Sequence, residues 1–86
     1  MRWTLIEKCF TGALTYLVTC SEVDGEALAR FARVGAMRVY GAVPHRRARC
    51  DGEGGVLLRV AEGEGSWTAR VWSEEQLAEV VAQLTT

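Results

Sequence analysis

Arginine is the residue type in this chain best placed to do chemistry. Between Ala27 and Cys50 stand Arg30, Arg33, Arg38, Arg46, Arg47 and Arg49, with His45 among them and no acid. The acids gather at Glu22 to Glu26, Asp51 to Glu64 and Glu74 to Glu79. A net charge of −1 therefore hides a local basic segment. Guanidinium groups held side by side suit carboxylates and phosphates, because the planar fork donates two parallel hydrogen bonds to either.

Other reactive residue types are sparse. The cysteines are Cys9, Cys20 and Cys50, an odd number with no secretion signal in MRWTLIEKCF. Free thiols in a reducing compartment, the cytoplasm, are the expectation. Cys9 and Cys20 fall far apart along one hairpin, so no bridge between them is expected. His45 and Cys50 are five residues apart with no further ligand nearby, too few for a zinc site. The glycine series Gly52-Glu53-Gly54-Gly55 and Gly63-Glu64-Gly65 carry acids and precede strands, which suits turns and not phosphate cradles. No catalytic pattern surrounds His45 or Cys50, and neither cofactor nor metal is expected.

The elements that must position the arginines are most legible from Gly55 to Leu84. Val56, Leu58 and Val60 alternate with Leu57, Arg59 and Ala61, and Trp67, Ala69 and Val71 with Thr68, Arg70 and Trp72. That period of two predicts half-buried strands. With Gly63-Glu64 as the loop, Val60 faces Trp67, Leu58 faces Ala69 and Val56 faces Val71. Ser73 and Gln76 have capping-box spacing, and Leu77, Val80, Val81 and Leu84 follow helical spacing.

Residues 2–10 and 13–21 predict a first hairpin around Thr11-Gly12, in which Trp3 faces Cys20, Leu5 faces Val18 and Glu7 faces Tyr16. Glu7 then lies on the apolar side, at the sheet rim. A helix follows from Ser21 or Asp24, and Gly35 ends it. A third strand runs from Ala36 to Val43 and stops at Pro44. His45 to Asp51 predicts a fourth, turning through Gly52–Gly54 into the strand at Val56.

The expected fold is a single α+β domain over residues 1–86. Its elements run ββα-β-βββα, with two helices on one face of an antiparallel sheet. Pairing Cys50 with Val56 sets Arg47 opposite Arg59 and Arg49 opposite Leu57. Arg47, Arg49, Arg59 and Arg70 then share the face turned away from the helices, with Trp72 at its end. The bland alternative is a sheet face kept soluble by arginines.

The function expected is a small non-enzymatic protein-binding domain, an adaptor or an inhibitor of the kind phages and mobile elements encode. Its partner would offer an acidic surface to those five residues. A nucleic-acid-binding domain using the same face is the alternative; near-zero net charge and scarce lysine count against it. A small enzyme or ligand carrier using Cys50, His45 or Glu7 is a third. No stretch nears the roughly 18 apolar residues of a membrane span. A homodimer is compatible with each, through Ile6, Phe10 and Leu17 or a free sheet edge.

Overall fold

The computed structural model describes all 86 residues, Met1–Thr86. The strands are β1 (Arg2–Lys8), β2 (Leu14–Thr19), β3 (Gly35–Tyr40), β4 (Arg47–Gly52), β5 (Val56–Ala61) and β6 (Ser66–Val71). Helix α1 (Gly25–Arg30) runs into a 3-10 turn at Phe31–Arg33, and α2 (Glu74–Thr85) ends the chain. The strands form one antiparallel sheet in the order β1-β2-β6-β5-β4-β3. The expected α+β class and element order are therefore what the chain adopts. β5 and β6 lie at the centre, and the segment carrying α1 crosses the sheet from β2 to the far edge at β3.

Side chains alternate across this sheet as a pleat requires. Tyr16, Val18, Ala48, Cys50, Val56, Leu58, Val60, Trp67, Ala69 and Val71 point to one side and are buried. Leu28, Phe31 and Val34 from the first helical segment and Leu77, Val80 and Leu84 from α2 cover them, forming one core cluster. The Phe31 and Trp67 rings meet edge to face, 5.2 Å between centroids at 88°. Each such fully buried large side chain contributes about 1.5–3 kcal/mol relative to exposure.

Capping follows the local sequence. Asp24 accepts from the Ala27 amide at 2.8 Å, and Ser73 Oγ accepts from the Gln76 amide at 3.2 Å. Gln76 also accepts from the Trp72 amide at 2.8 Å and donates to the Gly54 carbonyl at 3.1 Å, tying α2 to the β4–β5 turn. Trp3 Nε1 donates to Glu74 at 3.1 Å, which fastens the edge strand to the same helix.

The β5–β6 register matches the one predicted, but three other expectations shift. β4 meets β5 two residues further along, with Gly52 opposite Val56, Cys50 opposite Leu58 and Ala48 opposite Val60. Gly52 extends the strand, and Glu53–Gly55 makes the turn, with positive φ at both Gly54 and Gly55. A shift of two keeps every side chain on its expected face. In the first hairpin Trp3 faces Val18 and Leu5 faces Tyr16, and the register then slips by one between Leu5 and Glu7. This bulge at Ile6 turns Glu7 onto the opposite face, beside Thr15. β3 ends at Tyr40 instead of Val43, because Gly41 adopts a φ of 82° and the chain leaves the sheet there.

Candidate functional site

No helix covers the second face of the sheet, and its residues fall in rows set by the strand registers. One row reads Arg38, Arg49, Arg59, Thr68, Leu17 and Thr4 from the β3 edge to the β1 edge. A second reads Ala36, Asp51, Leu57, Arg70, Thr15 and Glu7. The third holds Tyr40, Arg47 and Ala61 on β3 to β5, then Ser66, Thr19 and Arg2.

Arg47, Arg49, Arg59 and Arg70 thus lie on one exposed face. The two-residue shift changes their neighbours: Arg49 stands opposite Arg59, and Arg47 stands opposite Ala61. β3 adds Arg38 on the other side of Arg49, so three arginines stand abreast on three neighbouring strands. Six arginines on this face, counting Arg2, meet two acids, Glu7 and Asp51, for a net charge of +4. The other side chains carry −5, which restores the total of −1. Charge is therefore segregated between the open face and the rest of the molecule.

Only Arg49 has an acidic partner on this face, with its Nε 3.4 Å from Asp51 Oδ2. Arg38, Arg47, Arg59 and Arg70 make no ion pair and no side-chain hydrogen bond. Glu7 joins Arg59, Arg70, Thr15, Thr68 and Leu57 around a polar hollow of about 310 Å³. Trp72 stands at the end of the face, 46% exposed, its ring against the turns at Gly12 and Gly55. A Cβ at Gly55 would come within 2.7 Å of the indole nitrogen, so glycine leaves the room the ring occupies.

Arg38, Tyr40 and Glu7 also belong to this surface, although the expected registers did not place them there. The alternation of Arg38 and Tyr40 with Met37 and Val39 carries the signal for the first two once β3 is laid beside β4. Nothing in the sequence around Ile6 announces the bulge that delivers Glu7.

Arg46 behaves differently from its neighbours. It precedes β4, and its guanidinium donates to both carboxylate oxygens of Glu62 at 2.9 Å, while its amide donates at 3.2 Å. The Glu62 side chain is nearly buried. The Arg46 side-chain hydrogen bonds, outweighing the opposing effect of burial, hold its carboxyl pKa down to about 2. A Cβ on Gly25 would lie 3.1 Å from Arg46 Nη2, so glycine at the start of α1 makes room for this pair. It is a structural clasp joining the entry of α1 to the β3–β4 and β5–β6 connections.

The reactive groups are dispersed. Cys50 is fully buried and donates its thiol to the Phe31 carbonyl at 3.2 Å. Burial, with a smaller push from Asp51, raises its pKa. Burial also raises that of Cys20. The Cys9 thiol is lowered, chiefly because Thr11 Oγ1 donates to its sulfur at 3.2 Å. All three are free thiols. No three His, Cys, Asp or Glu side chains are grouped to hold a metal ion, and no helix is long and apolar enough to cross a membrane.

Comparison of the chain with protein-family models, with curated proteins and with solved structures returns no match, so function must be argued from this geometry.

Proposed function

We propose that this chain is a non-enzymatic binding module, of adaptor or inhibitor type, that docks its open sheet face on an acidic surface of a partner protein. The observation that carries this is the row Arg38, Arg49 and Arg59. Like charges directly opposite one another on neighbouring strands oppose folding. Solubility alone would be served as well by mixed signs, at no such cost. A carboxylate-bearing surface would relieve the repulsion and meet the unpaired forks of Arg38 and Arg59 bidentately. The three free thiols fit a reducing compartment such as the cytoplasm.

The test is affinity capture from extract of the native host, with wild-type protein beside Arg47→Glu, Arg49→Glu and Arg70→Glu. The variants should show no fall in melting temperature and should lose the captured protein. Equal capture by wild-type and charge-reversed protein would sink the proposal.

Nucleic acid is the second reading, favoured by the half-exposed rings of Tyr40 and Trp72 at opposite ends of the face. Fluorescence anisotropy with single- and double-stranded DNA and RNA separates the two. Binding that weakens steeply with salt supports it, and none at about 50 mM salt ends it.

A further inference from the structure

The third row of the open face contains a gap. Ala61 is the smallest side chain of the three that β3, β4 and β5 place there, between Arg47 and the polar residues of β6. Around it Tyr40, Arg47, Arg59, Ser66 and Thr68 enclose a shallow hollow of about 350 Å³. Ala61 and the aromatic Tyr40 line it, together with Ala48, Val60 and Trp67 of β4 to β6, whose side chains belong to the core. Arg47 and Arg59 stand at its rim without acidic partners. This differs from the hollow at Glu7, whose lining is almost wholly polar.

We infer that the hollow over Ala61 receives one aromatic side chain from an extended acidic segment of the partner, whose flanking carboxylates pair with Arg47 and Arg59. An apolar hollow with a polar, orienting rim is the usual form of an anchoring pocket. The ring would stack on Tyr40, and each guanidinium would take a carboxylate beside it. The occupant follows from charge: the hollow is part of a face of net +4, on which Arg47 and Arg59 are free to bind. Protein is favoured over nucleic acid because Asp51 and Glu7 stand within the arginine field, where they would repel a uniform polyanion. The inference rests on the binding function proposed above and specifies what that face recognises.

Three labelled probes test it by fluorescence anisotropy: a peptide alternating Glu and Ser with one central Trp, the same peptide with Ala at that place, and a short oligothymidylate. Wild-type protein should bind the Trp peptide about tenfold more tightly than the Ala peptide, the scale of one partly buried ring. Ala61→Leu fills the hollow without replacing an arginine and should erase that preference, leaving the Ala peptide's affinity little changed. Tyr40→Ala, on the exposed edge strand, should reduce the preference several-fold, and Arg59→Glu should weaken both peptides. Equal affinity for the two peptides, or a preference that survives both Ala61→Leu and Tyr40→Ala, overturns the inference while leaving the charge-based proposal standing. Failure of both peptides to bind at about 1 mM, or tighter binding of the oligothymidylate, overturns both.

Discussion

Replacing Arg59 with threonine should stabilise this protein, and by an amount that disappears in salt. Arg59 faces Arg49 across the β4–β5 ladder and has no acidic partner of its own. Its diagonal neighbours nearly cancel, since Arg47 and Arg70 repel it while Asp51 and the nearby Glu7 attract it. The uncancelled repulsion is that of Arg49. Side chains directly opposite on neighbouring strands can hold their charged heads roughly 7 Å apart, which in water is about 0.6 kcal/mol. For a domain of this size that corresponds to a rise in melting temperature of about 2–5 °C. At about 20 mM salt most of the gain should be present, and at about 1 M, where the Debye length is near 3 Å, almost none. Thermal melts followed by circular dichroism at the two salt concentrations measure it, with Arg59→Lys as the control that keeps the charge and should show no gain. Threonine also suits a strand better than arginine, but that part is independent of salt and subtracts out. A gain of the same size at both salt concentrations, or none at either, would refute the electrostatic account of the row.

Two further perturbations probe the frame that holds the face. Gly35 opens β3 against β4, where a Cβ would run into the Asp51 carbonyl oxygen and lie 2.7 Å from the Gly52 Cα. Backbone cannot swing aside as a side chain can, so Gly35→Ala should cost about 3 kcal/mol, read as a lowered urea midpoint. Glu62 has a folded-state pKa of about 2, below the ordinary value of 4.5, through its hydrogen bonds from Arg46. A depressed carboxyl pKa contributes stability that is complete above pH 4.5 and is lost as pH falls from there toward 2. Melts of the wild type across that window should show the loss, and Glu62→Gln should be less stable at neutral pH and lack that part of the dependence.

Much of the fold was legible because local signals repeat a single instruction. Val56 to Ala61 and Ser66 to Trp72 alternate cleanly, and Gly63 takes the positive φ that their turn requires. The arginine face was legible for the same reason, since parity along a strand fixes the face even when the register is uncertain by two. Misplacing the β4–β5 turn moved Arg49 from Leu57 to Arg59 without moving it to the other side. What parity cannot supply is an odd shift. The Ile6 bulge is such a shift, stabilised by pairing between whole strands, and it carried Glu7 to the other face. Strand order was equally unavailable, because the docking of β2 on β6 joins segments some 50 residues apart through burial shared with the helices. Alternation with Arg47 and Arg49 would point Arg46 inward, whereas it lies before β4 and makes a bidentate contact with Glu62.

The bulge also bears on selectivity. With it, the second row ends in Glu7 and contains Asp51, while the first holds Arg38, Arg49 and Arg59 with no acid. A partner satisfying the first row must bring negative charge to one line of the face. It must also keep that charge away from Asp51 and Glu7 in a parallel line two residues further along each strand, roughly 7 Å distant, where only Arg70 between them can take a carboxylate. A nucleic-acid backbone carries one charge per nucleotide and cannot leave places empty, so part of it would meet Asp51 or Glu7. A polypeptide can place an acid against one row and a neutral or basic residue against the next. Attraction at one row and repulsion at the other together discriminate better than either alone. Replacing Glu7 and Asp51 by the neutral Gln and Asn should therefore leave binding of an acidic protein partner little changed while raising the affinity for oligothymidylate and other uniform polyanions. The two carboxylates, on that account, are what makes a basic face specific.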